Sequence, residues 1–171
     1  MSDRTKKIFL AIVIVIPFLI YCVIYYRPMI MNAPFKSSEF VSLQYSWGPG
    51  NNQINKYDSA TGAYQYENAQ DSLIKTTVKL KQNEIIYLHS KANELGFWNL
   101  PELIANPGTD LNSNKALRYV MTINYQRRSK TVTLLTDYNG SEKLKDVATQ
   151  MQKIFFTTIS DADARYGKAE N

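Results

Sequence analysis

Hydrophobic and polar positions divide this chain into one long uncharged run followed by shorter, regularly patterned segments. The run is Ile8 to Tyr26, Ile-Phe-Leu-Ala-Ile-Val-Ile-Val-Ile-Pro-Phe-Leu-Ile-Tyr-Cys-Val-Ile-Tyr-Tyr, without a charged residue. At about 1.5 Å per residue it reaches roughly 28 Å, close to the hydrocarbon thickness of a bilayer. Backbone groups in lipid must bond to one another, so the run predicts a transmembrane helix, bent at Pro17.

Beyond it the period changes. Val41, Leu43, Tyr45 and Trp47 alternate with Ser42, Gln44 and Ser46, the mark of a strand with one buried face, and Gly48-Pro49-Gly50 breaks it. A second strand is predicted over Gly62 to Glu67, with Tyr64 and Tyr66 on one face. A third, Ser72 to Lys81, sets Ile74, Thr76, Val78 and Leu80 against Lys75, Thr77, Lys79 and Lys81. Asn83 is placed to cap a helix that ends at Gly96, with Ile85, Leu88, Ala92 and Leu95 on one stripe. Two further strands, Leu117 to Gln126 and Lys130 to Asp137, are joined by a tight connection at Arg127, Arg128 and Ser129. After Asn139-Gly140, Ser141 can cap a last helix whose stripe is Leu144, Val147, Ala148, Met151, Ile154, Phe155 and Ile159. The order β-β-β-α-β-β-α predicts an α+β fold: a mostly antiparallel, five-stranded sheet with two helices on one face.

Charge sets the expected orientation. Arg4, Lys6 and Lys7 precede the run against a single acid, Asp3, while the far flank begins Tyr25-Tyr26-Arg27-Pro28. Cationic flanks stay preferentially in the cytoplasm and tyrosines settle at the headgroups. The expectation is a cytoplasmic tail (1–7), a single-pass anchor (8–26), a linker (27–38), an extracytoplasmic domain (39–160) and a flexible tail (161–171). A cleaved signal peptide is the rival reading. Its apolar core is normally about 7–15 residues and ends at small residues. Here the run is longer and ends in aromatics, and the best cleavage candidate, Ala33, follows Met31 at the position where a small residue is wanted. A lipid on Cys22 would need a small residue in place of Tyr21. A retained anchor fits better.

The formal charge is +5, and with three bases and one acid in the first seven residues, the rest holds 17 bases and 14 acids. That is too even for a nucleic-acid binder. The one cysteine, Cys22, sits in the apolar run, so the domain must rest on its apolar core, to which 12 tyrosines and 7 phenylalanines contribute.

Chemistry-bearing patterns are sparse. His89 is the only histidine and has no partner apparent in the sequence to orient it as a base. With one histidine and one cysteine, a zinc site is not expected, and no cofactor is expected either. Ser72-Leu73-Ile74-Lys75 has a Ser-x-x-Lys spacing, but on a strand the two side chains point to opposite faces. Asp110-Leu111-Asn112-Ser113-Asn114-Lys115 begins like a calcium loop, yet Lys115 stands where glycine is needed and Met121 where glutamate is needed. Gly48 to Asn52 lacks the ending of a phosphate loop. Asn139-Gly140-Ser141 fits a glycosylation acceptor as well as a helix-entry turn. Asp58, Glu67 and Asp71 gather in sequence around a tyrosine-rich hairpin and are the candidates for carboxylate acid–base chemistry.

Contact surfaces are the better prospect. Lys75, Lys79 and Lys81, with Arg127, Arg128 and Lys130, offer a basic face for an anionic partner or lipid, or merely keep an exposed strand soluble. Trp47, Tyr57, Tyr64 and Tyr66 can stack on a glycan or grip a peptide, or pack as half-buried strand residues.

Tyr45-Ser46-Trp47-Gly48, Tyr57-Asp58-Ser59, Asp71-Ser72-Leu73 and Gly96-Phe97-Trp98 resemble segments of a group of small bacterial envelope proteins that carry an N-terminal anchor or lipoprotein signal. The resemblance spans roughly residues 40–102. It implies a bacterial inner-membrane protein with a periplasmic domain, and brings neither an activity nor a catalytic residue. The resulting expectation is a non-enzymatic binding module of the envelope whose partner is an envelope protein or glycan. The alternatives are an anchored inhibitor or immunity protein against a toxin, and a carboxylate-dependent hydrolase.

Overall fold

The computed structural model describes residues 3–32 and 35–169. The chain forms two compact units, Met1–Pro34 and Phe35–Asn171. The first is one helix, α1 (Asp3–Asn32). Its segment Phe9–Arg27 is long and apolar enough to cross a membrane, and none of that segment is buried. Toward its C-terminal end Tyr21 stacks on Tyr25 at 5.8 Å, and Tyr26 meets Tyr25 edge-on at 5.1 Å. Ala33 and Pro34, which bear on the cleavage and linker readings, lie outside the described residues, as do the last two residues of the expected tail.

The second unit is α+β. Its strands are β1 (Phe40–Pro49), β2 (Asn55–Asp58), β3 (Ala63–Glu67), β4 (Leu73–Thr77), β5 (Leu103–Ile104), β6 (Leu117–Tyr125) and β7 (Ser129–Leu135). The helices are α2 (Gln82–Glu94) and α3 (Glu142–Ala169). One mixed sheet runs β4-β3-β2-β1-β6-β7-β5, antiparallel throughout except where β5 lies parallel to β7. Both helices cover the same sheet face. Leu88 and Ala92 of α2, and Ala148, Met151, Phe155 and Ile159 of α3, share a core with Leu43, Tyr45, Ile123 and Leu134. Phe155 meets the Tyr45 ring at 5.8 Å, and Gln152 donates to the Tyr45 hydroxyl at 2.8 Å. Burial raises the pKa of that phenol above its ordinary range. The other sheet face carries Gln44, Ser46, Lys56, Gln65 and Thr122, all of them intermediate or exposed.

The pattern predicts five strands, and the sheet has seven. The two extra strands are β2, in which Tyr57 is the only buried residue, and the two-residue β5. Neither is long enough to show alternation. The predicted third strand, Ser72 to Lys81, is shorter than its pattern. It ends at Thr77, and Val78 leaves the ladder to donate to the Gly62 carbonyl at 2.7 Å while remaining fully buried. The alternation therefore runs on past the strand, because a loop residue also faces the core. Val41 departs from its expected face and is 56% exposed, since the register slips between Phe40 and Ser42 and a bulge turns it outward.

The helix ends also differ. α2 starts at Gln82 rather than after Asn83, because the Glu84 carboxylate bonds the Lys81 backbone N–H at 2.8 Å and fixes the first turn there. It ends as expected, at a left-handed Gly96 with φ 71°. Ser141 bonds the Leu144 N–H at the start of α3. The helix continues through Ala169, and Ala162 within it is fully buried where a frayed tail is expected.

Candidate functional site

Two hollows lie on opposite sides of the β1–β3 region. The first is the uncovered sheet face, a depression of about 540 Å³ that includes Lys56, Lys75, Gln44, Gln65 and Thr122. Several of its polar groups are already satisfied within the protein. Gln44 donates to Asp58 at 3.2 Å, Ser46 to Gln53 at 2.5 Å, and Gln65 to the Ile54 carbonyl at 2.8 Å.

The second is a cleft of about 490 Å³ between the β2–β3 hairpin, its return toward β4, and α3. It is assembled by two periodicities. On the strand side Trp47 closes β1, and Tyr64 and Tyr66, two apart on β3, face the same way. On the helix side Phe156, Ser160 and Asp163 fall at i, i+4 and i+7, one face of α3. Trp47 stacks on Tyr45 at 4.8 Å and meets Phe156 at 5.9 Å with the rings 87° apart. Tyr66 tilts over Tyr64 at 4.8 Å. Asn55 holds the base together. Its amide donates to the Trp47 carbonyl at 3.2 Å, and its oxygen accepts from the Glu67 N–H at 2.9 Å.

The acids of the cleft come from three places. Glu67 ends β3. Asp71 follows on a turn in which the Asn68 side chain accepts from the Gln70 and Ser72 N–H groups, at 3.0 and 2.9 Å. That turn puts Asp71 at φ 54°, the one left-handed residue other than glycine among the described residues. Asp163 comes from α3, and burial holds its carboxyl above the usual carboxylate range. Burial also pushes the Tyr64 hydroxyl, which bonds Ser160, up to about 12, so it stays protonated at neutral pH. No lysine or arginine lines the cleft, and none of the three carboxylates is ion-paired among the described residues.

Trp47, Tyr64 and Tyr66 therefore come together, and the hairpin acids Glu67 and Asp71 join them. The other predicted contact residues lie elsewhere. Tyr57 is in the core, where its hydroxyl donates to the Val78 carbonyl at 3.1 Å. Asp58 borders the first hollow instead of the cleft, bonded to Gln44 and to the Ala60 N–H. The expected row of lysines is not one strand face. Lys75 is on β4 beside the open hollow, Lys79 lies in the connection after it, and Lys81 abuts the start of α2. Arg127 pairs with Glu39 at 2.8 Å. Arg128 lies 5.7 Å over the Phe35 ring, whose plane stacks on Trp98 at 4.2 Å. The two arginines thus pack on the segment at the start of this unit.

Phe156, Ser160 and Asp163 escape a sequence reading because they lie off the apolar stripe of α3 or beyond its expected end. Their i, i+4, i+7 spacing is the signal that marks a second face of that helix. Comparison with protein families and with curated proteins finds no match to this chain.

Proposed function

We propose that this protein is a single-pass, membrane-anchored binding module of a bacterial envelope, with its N-terminus in the cytoplasm, its α+β domain outside, and the aromatic cleft as its contact site. The observation that carries this reading is the cleft itself. Trp47, Tyr66 and Phe156 present ring surface there, beside carboxylates that have no ion-pair partner among the described residues. Side chains packed only for stability are normally satisfied or buried, and aromatic rings at an exposed cleft are characteristic of recognition. The uncovered sheet face is the weaker candidate because Gln44, Ser46 and Gln65 there already donate to partners within the protein.

The test is site-specific photo-crosslinking in the full-length protein in its own membranes, with the crosslinker at Tyr66 or, on the opposite face, at Lys75. The expected result is a single adduct from position 66 that disappears in Trp47→Ala, and none from position 75. An adduct from position 75 alone would overturn the assignment of the cleft.

A second reading draws on Asp163, whose raised pKa beside Glu67 and Asp71 suits a general acid. Glycoside hydrolysis needs two carboxyl groups about 5–10 Å apart across the cleft. It predicts turnover of a glycan substrate that Asp163→Asn abolishes.

A further inference from the structure

Taking the cleft as the contact site, we infer that its ligand is an organic cation, an alkylated ammonium group seated against the Trp47 and Phe156 rings within reach of Glu67, Asp71 and Asp163. Size, walls and charge converge on this. At about 490 Å³ the cleft is in the range of small-molecule sites and far larger than a bare metal ion needs. Its walls are aromatic from two separate elements, with Phe156 44% exposed and Tyr66 half-buried, so ring surface is open to a ligand. Such rings attract cations through their quadrupole, tryptophan most strongly.

The charge is one-sided. Three carboxylates border the cleft and, among the described residues, no basic side chain does, in a chain whose net charge is +5. An anionic ligand would be repelled. A neutral apolar ligand would desolvate the carboxylates without compensation. A small hydrated metal ion would leave the rings without a role. A cation with an apolar surface satisfies both the rings and the acids. Its source is either a free quaternary amine or a lysine side chain of a partner.

The experiment follows the indole N–H signal of Trp47 by NMR in the ¹⁵N-labelled full-length protein, in a nonionic maltoside detergent at pH 7.5. Choline is titrated against its neutral isostere, 3,3-dimethylbutan-1-ol, and N-acetyl-lysine amide is titrated separately. The expected result is a saturable shift of Trp47 with Trp98 unmoved, and binding of the isostere about tenfold or more weaker. Choline binding should weaken with added salt and in both Glu67→Gln and Phe156→Ala, since the exposure of Glu67 and Phe156 lets the fold tolerate these changes. Binding of the lysine amide in preference to choline assigns the cation to a partner's side chain. Equal binding of choline and its isostere overturns the cation and leaves the cleft as contact site. If none of the probes moves Trp47, the cation inference falls, and the contact-site reading falls with it only if the Tyr66 crosslink is also absent.

Discussion

His89 shows how neighbours decide a residue's chemistry. The Trp98 indole N–H can only donate, and it meets the Asn93 side-chain oxygen at 2.6 Å. That orients the Asn93 amide so that its NH₂ faces His89 Nε2 at 3.0 Å, and Nε2 must accept. The ring proton then sits on Nδ1 and is donated to the Tyr125 hydroxyl at 2.7 Å. A second proton would point Nε2–H at the NH₂ donor, while burial already lowers the pKa below its ordinary 6.5. Because the folded value lies below the unfolded one, the unfolded chain binds more protons between them. The contribution is fully present above about pH 6.5 and declines as pH falls toward the folded value. Urea midpoints measured from pH 7.5 to 5.5 should fall in the wild type, and His89→Gln should flatten that slope. An unchanged slope would show that His89 takes up its proton equally in the folded and unfolded states. The sequence shows a lone histidine without an orienting group. Its partners, 36 and 4 residues away, are supplied by packing and by one helical turn.

At the level of elements, Glu84 joins the two helices. One carboxylate oxygen bonds the Lys81 N–H at the start of α2, and the other takes the Arg165 guanidinium from the last turns of α3. Glu84→Ala removes both and should cost about 1–2 kcal/mol, read as a lower urea midpoint at unchanged slope. Arg165→Ala should cost no more than about 1 kcal/mol, because it removes only a partly exposed pair. Equal costs would mean that the capping bond contributes little. The apolar stripe of α3 was legible because four of its residues, Ala148, Met151, Phe155 and Ile159, bury at helical spacing, and so was the alternation of β1. β2 and β5 were not, since a strand of two to four residues has no period to read. Their existence depends on the neighbours with which they pair.

For the whole molecule, the testable claim is where the second unit resides. With Cys22 changed to serine and the exposed Lys143 to cysteine, a membrane-impermeant maleimide should label intact cells, and the intact mass should retain the apolar segment. Labelling only after lysis would overturn the proposed orientation. A chain starting beyond the segment would overturn retention.

The sequence alone determined the apolar helix, the α+β class, the inward faces of β1 and α3, and the aromatic and acidic character of the β3 hairpin. Each of these is a local property, carried by spacing or composition within a few turns or strand residues. The tertiary structure alone decided which residues share a site. It placed Asp58 at a different hollow from Glu67 and Asp71, moved Tyr57 into the core, and drew Arg127 and Arg128 onto Glu39 and Phe35. It also brought Asp163 of α3 beside Trp47, 116 positions earlier in the sequence. Such juxtapositions depend on how a sheet pairs and on which side a helix lands, and no single stretch of sequence carries that information.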